Sequence, residues 1–195
     1  MNSLLHSVSF GNELVATLFA YHTGYFDPIK KQSPSDAPSD THYISFGRDS
    51  YVYRSGSNVI KFYRSDRSGD RHLHELTDYQ KITKDADDYC VKHSLTCTFG
   101  NKTLPVRINP IDSVFFSKKA NCVVGISAFV GGESPQEAFS IPAEDISKEI
   151  FQIGKNISRG MKLTGIRTIS QNVRIVDNTV VVTDLCCRIY ELAIA

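Results

Sequence analysis

From Tyr43 to Arg64 the sequence "YISFGRDSYVYRSGSNVIKFYR" mixes β-branched and aromatic residues with polar ones, and it breaks at Gly47 and again at "SGSN". That pattern predicts a strand, a turn, a second strand, a tight hairpin and a third strand. The period then changes. In "DRHLHELTDYQKITKDADDY", residues 70–89, Leu73, Leu76, Tyr79 and Ile82 share one broad face of a helix, and Asp70 is placed to cap its start. "LTCTFG" and "LPVRINP" predict a hairpin around Gly100-Asn101, with further strands in "SVFFSK" and "NCVVGISAFV". "VGGESPQEAFSIP" is a loop punctuated by Gly and Pro, with room for one helical turn. Beyond it, Ile146, Ile150, Ile153 and Ile157 recur at i, i+4, i+7 and i+11, the stripe of a helix from about Ala143 to about Thr164 that stops at Gly165. "NVRIVDNTVVVTDLC" predicts two strands joined at Asp177-Asn178. At the other end, a short helix is expected around Glu13 to Tyr21, and "DPIKKQSPSDAPSDTH" reads as a flexible connector.

Composition narrows the functional classes. The net charge is +1 with acids and bases interspersed, which argues against nucleic acid or an anionic membrane as the main partner. No apolar run reaches transmembrane length, and "LVATLFAY" lacks the basic flank of a leader, so a cytoplasmic protein is expected. The five cysteines show no CxxC or Cys/His metal spacing, which disfavours zinc and favours reduced, mostly buried thiols. His72 and His74 flank the start of the first predicted helix and read as exposed capping residues rather than ligands.

Several residues carry possible chemistry. Lys61 stands in a strand of β-branched and aromatic residues, "VIKFYR", where an isolated lysine ordinarily faces solvent. Glu75 sits one turn before Tyr79, turned toward the apolar face of its helix, where an acid needs a partner. Asn172 and Asp184 flank the last predicted hairpin. Both offer oxygen, which suits Mg²⁺ beside phosphate. A strand-end Asp satisfied by a turn remains the alternative for Asp184.

The order of these pieces resembles the protein-kinase-like superfamily: strand, Gly turn, strand, Lys-bearing strand, Glu-bearing helix, further strands, Gly loop, long helix, and a hairpin ending in Asp. The resemblance implies an α+β, protein kinase-like fold. Residues 1–42 would be an N-terminal extension and connector, 43–130 a β-rich N-lobe-like half with one main helix, and 131–195 a reduced C-lobe-like half of a long helix plus a β-hairpin. It implies ATP and Mg²⁺ as cofactors. Gly47 would approach phosphate, Val52 would pack on the base, Lys61 held by Glu75 would bind phosphates, and Ser127, Ala128 and Phe129 would form the base-binding hinge. Asn172 and Asp184 would be the metal ligands. Departures accompany these matches: Ser50 stands where the third loop glycine is expected, and Leu185 and Cys186 replace the Phe and Gly that follow the metal-binding Asp.

One departure bears on activity. Five residues before Asn172, where such enzymes place the catalytic aspartate, stands Arg167, and no acid occurs from Lys162 to Asn172. Arginine stays protonated and cannot act as a base. Only eleven residues follow Asp184, little for a substrate platform. The resemblance therefore implies a pseudokinase that binds nucleotide and acts by binding a macromolecular partner, expected to be a protein. Two alternatives stay open: an atypical active ATP-dependent phosphotransferase, and an interaction domain without nucleotide. Kinases of this small size occur among bacterial effectors that act in host cytoplasm, but those keep the aspartate.

Overall fold

The computed structural model describes residues 41–46, 50–63, 69–117, 122–163 and 165–187. The helix expected near Glu13, the connector up to residue 40, and Gly47 lie outside the described residues. The chain is α+β and divides into two compact units, residues 1–80 with 111–129 and residues 81–110 with 130–195.

The first unit is built on a five-stranded antiparallel sheet in the order β1-β2-β3-β7-β6. Its strands are β1 (Thr41–Phe46), β2 (Ser50–Ser55), β3 (Asn58–Tyr63), β6 (Ile111–Ser117) and β7 (Cys122–Ala128). The turn between β2 and β3 uses Gly56 at φ 55°, a conformation that glycine adopts without a Cβ penalty. Successive strand residues face opposite sides. The rows Tyr53–Ile60–Ile126 and Phe62–Val124 therefore share one face. On that face Tyr53, Ile60, Phe62, Val124 and Ile126 are buried, and Tyr53 meets Phe62 edge-on at 5.7 Å. The helix α1 (Gly69–Lys92) gives this unit its N-terminal part, with Leu76 and Tyr79 buried.

The second unit holds the C-terminal part of α1, where Thr83, Ala86, Asp87 and Cys90 are buried. Its sheet runs β4-β5-β10-β9 and combines two hairpins, β4 (Thr96–Phe99) with β5 (Lys102–Ile108) and β9 (Val173–Val176) with β10 (Thr179–Val182). β10 joins them by running parallel to β5, Val180 opposite Val106. At the β9–β10 turn Asp177 and Asn178 both take positive φ, 47° and 58°, the two-residue turn whose twist matches the flanking strands. The helix α2 (Pro135–Phe139) starts at a capping box in which Ser134 and Glu137 satisfy each other's backbone N–H. The stripe of α3 (Ala143–Met161) is fully buried at Ile146, Ile150, Ile153 and Ile157. A short antiparallel ribbon pairs β8 (Ile166–Arg167) with β11 (Cys186–Cys187).

Several boundaries differ from expectation. α1 begins at Gly69, so Asp70 lies inside the first turn rather than capping it, and the helix runs on to Lys92. α3 ends at Met161 because Lys162 turns left-handed at φ 55°, its N–H reaching Ser158 and Arg159 carbonyls. Three residues earlier than Gly165, a non-glycine residue does the work of the stop. Residues 81–110 group with the second unit. The parallel β5–β10 pairing accounts for this, since it ties that hairpin to a strand more than seventy residues later. No helix among the described residues is long and apolar enough to cross a membrane.

Candidate functional site

Within the first unit, burial of Ile60 and Phe62 sends Lys61 to the opposite face of β3. There it is half-buried and lies in register between Val52 on β2 and Gly125 on β7. The sheet thus sets two of the expected residues, Val52 and Lys61, side by side. Gly125 is required locally: a Cβ there would lie 3.0 Å from Cε2 of Tyr63, whose ring leans over it. Glu75 is half-buried in the second turn of α1, next to the buried Leu76. His74 is exposed and lies 3.2 Å from Asp78, an i, i+4 surface pair.

The segment Ser127–Phe129 ends β7. Ser127 is buried, Ala128 exposed, and the Phe129 N–H donates to the Ser57 carbonyl at 2.7 Å. The Ala128 backbone also hydrogen-bonds the Asp112 side chain. Main-chain donors expected to face a base are therefore already engaged. A second feature here has no signal in the sequence: the Arg54 guanidinium lies over the Phe129 ring, 3.8 Å from its centroid, with its Nε donating to the Gly56 carbonyl at 3.0 Å. That cation–π contact joins β2 to the residue that follows β7, and no local spacing reveals it.

In the second unit the hairpin mouth is tightly stitched. Ser170–Asn172 form a 3-10 turn in which the Asn172 N–H donates to the Ile169 carbonyl at 3.0 Å. The Asn172 carbonyl accepts from the Thr183 N–H at 2.7 Å and from its hydroxyl at 3.1 Å. The Asn172 side chain then donates through Nδ2 to the main-chain carbonyl of Asp184, 3.1 Å away. That bond uses the amide's nitrogen, its donor end, and leaves Oδ1 as its acceptor end; Asp184 itself is half-buried. Leu185, next along, is buried.

The two residues carry oxygen atoms of the kind a hard cation takes, and would supply part of a donor set at most. Among the described residues no three His, Cys, Asp or Glu side chains cluster to hold a metal. Mg²⁺ does not need such a cage, because it keeps waters and is completed by phosphate oxygens.

Arg167 is exposed in β8 and lies opposite Cys186 in the ribbon. Its neighbour Thr168 is buried and its hydroxyl donates to the Ile150 carbonyl of α3. A Cβ at Gly154 of α3 would come within 3.0 Å of the Thr168 nitrogen, so the absence of a side chain at residue 154 lets this segment sit against the helix. Burial pushes the Cys90 and Cys97 thiols up to about 12, which makes them packing groups rather than nucleophiles.

A charge-assisted contact of the second unit lies elsewhere. Asp87 accepts from Arg107 through Nε at 2.8 Å and Nη2 at 2.6 Å, and from the Ile108 N–H at 2.9 Å. Burial works against its charge, but the Arg107 and Ile108 hydrogen bonds together prevail and hold its carboxyl below the usual range.

The chain matches no model of a known protein family, and no curated protein matches it at a significant level.

Proposed function

We propose that this protein is a miniature kinase-like protein that binds a nucleoside triphosphate with a divalent cation and acts through a protein partner, without transferring phosphate. The observation that carries the reading is the bond from Asn172 to the Asp184 carbonyl, which joins two oxygen-bearing residues twelve positions apart at the mouth of one hairpin. Supporting it, the Lys-bearing strand is the central strand of an antiparallel sheet, with Val52 and Gly125 in register with Lys61. Lys61 would meet phosphate, Val52 the base, and Asn172 and Asp184 the cation. Glu75 follows on α1 as the acid that would hold the lysine, and Ser127–Phe129 would contribute carbonyls rather than donors to the base. The assignment to kinase-like proteins is a fold-level analogy, and the site residues carry the functional part.

The inactive reading rests on Arg167. A general base contributes about 10²–10⁴-fold to such a reaction, and a guanidinium cannot supply it. Action in the cytoplasm, where ATP and Mg²⁺ are abundant and thiols stay reduced, belongs to the same proposal.

Thermal unfolding with ATP and Mg²⁺ tests it. Ligand at about a hundred times its Kd stabilises the folded state by about 2.7 kcal/mol, a readily measured upward shift. Lys61→Ala or Asp184→Ala should abolish the shift, while γ-labelled ATP leaves no label on the protein or on a mixed lysate. Label that depends on Asp184 would establish an active phosphotransferase instead. No shift with any nucleotide would leave a binding domain that uses none.

A further inference from the structure

A concavity lies in the second unit, and neither Asn172 nor Asp184 lines it. It is a cavity of about 300 Å³, at the small end of pockets that take organic ligands. Pro135 and Ile146, both buried, give it an apolar floor, and Gln136, Ser170, Gln171 and Arg174 bring polar groups to its wall.

Arg174 is held ready. Its Nη1 donates to the carbonyls of Val173 at 2.8 Å and Gln171 at 3.2 Å, which fixes the guanidinium plane. Among the described residues its Nε and Nη2 make no hydrogen bond, and neither do the side chains of Gln136, Ser170 and Gln171. A pinned guanidinium with an open pair of donors matches the two oxygens of a carboxylate or phosphate.

The neighbouring charges choose between those anions. Glu137 is bonded by the Ser134 hydroxyl and N–H, both at 2.7 Å, and those bonds, with the charge of Arg174, hold its carboxyl below the usual range. It therefore stays ionised and already offsets part of the arginine's charge. Glu144 and Asp145, which open α3 beside the lining residue Ala143, are both engaged by Lys148, at 3.0 and 3.6 Å. This acidic surround opposes a dianion about twice as strongly as a single negative charge, which favours the monoanion.

The geometry points to a binding site for a small carboxylic acid whose body carries an amide: the carboxylate pairs with Arg174, the amide with Gln136 and Gln171, and the apolar part rests on Pro135 and Ile146. This site is independent of the nucleotide reading and would stand if that reading failed.

The probe is N-benzoylglycine, compared with its neutral amide N-benzoylglycinamide and with inorganic phosphate, each titrated into ¹⁵N-labelled protein without nucleotide. For a ligand of this size a Kd of about millimolar is expected. N-benzoylglycine should shift the amide resonances of Ser170, Gln171 and Arg174 and of residues 143–146, and bind about tenfold or more tightly than the neutral amide. Arg174→Gln should weaken it about tenfold. Because Arg174 also tethers the 3-10 turn, Gln171→Ala serves as a second variant and should weaken it several-fold without altering the resonances of the hairpin. Equal binding of acid and amide, tighter binding of phosphate, shifts elsewhere only, or unchanged affinity in both variants would each overturn the assignment.

Discussion

Replacing Asp87 tests the polar anchor of the second unit. Its side chain is 12 % exposed, and it holds both the Arg107 fork and the buried Ile108 N–H. The partners do not lose equally when it is removed. Arg107 is 52 % exposed at its side chain and returns to water, whereas Ile108 is 2 % exposed and its N–H is stranded. A stranded buried donor costs about 1–3 kcal/mol, and losing the charge-assisted bonds adds a smaller amount, since the desolvation of Asp87 is relieved. Asp87→Ala should therefore destabilise this unit by about 2–4 kcal/mol at neutral pH. Asp87→Asn keeps an acceptor for the Ile108 N–H and should cost about 1–2 kcal/mol. The folded carboxyl lies below its unfolded value of about 3.9, so its contribution is complete above that value and is lost as pH falls through the folded one. Urea unfolding measured from pH 7 down to about pH 2, with hydrogen exchange at the Ile108 amide, reads both effects. The gap between wild type and Asp87→Asn should close in acid. A cost below about 0.5 kcal/mol for Asp87→Ala, or a gap that does not change with pH, would refute the reasoning.

Two further outcomes follow from packing. Cys90 and Cys97, buried and pushed up to about 12, should resist iodoacetamide in the folded protein at mildly alkaline pH and react only in denaturant; mass spectrometry showing rapid native alkylation at either would contradict the burial. Gly132→Ala should destabilise by about 1–3 kcal/mol or more, because residue 132 holds φ +97° and a Cβ there would meet the Ile175 carbonyl and lie 2.9 Å from Val176 Cγ2. Unchanged denaturant unfolding would show that the loop can move away from β9.

Much of the local architecture was legible because local rules fix it. Both turns at Gly100-Asn101 and Asp177-Asn178 and the isoleucine stripe of α3 follow from spacings of a few residues. So did the choice of Lys61, since the apolar residues on either side of it leave it only one face. Helix ends were less legible: backbone groups at a terminus can be satisfied in several ways, and Lys162 turned where a glycine was expected. The mutual contacts of distant residues were not legible at all. Nothing near Arg54 announces Phe129, and nothing near Asp87 announces Arg107, because each pair meets across a sheet or between a helix and a strand.

The sequence by itself determined the longer strands, the two long helices and their order, and it singled out Lys61, Glu75, Asn172 and Asp184 as candidates, together with the arginine where an acid was expected. Only the tertiary structure decided that β10 runs parallel to β5, that residues 81–110 belong with the second unit, that the Asn172 amide bonds the Asp184 carbonyl, and that Arg174 is pinned beside a cavity. The physical reason is range. Side-chain periodicity and turn sterics act over a few residues and leave their mark in any short window. Pairing of distant strands and convergence of polar groups are chosen by the burial of the whole chain, and no short window contains them.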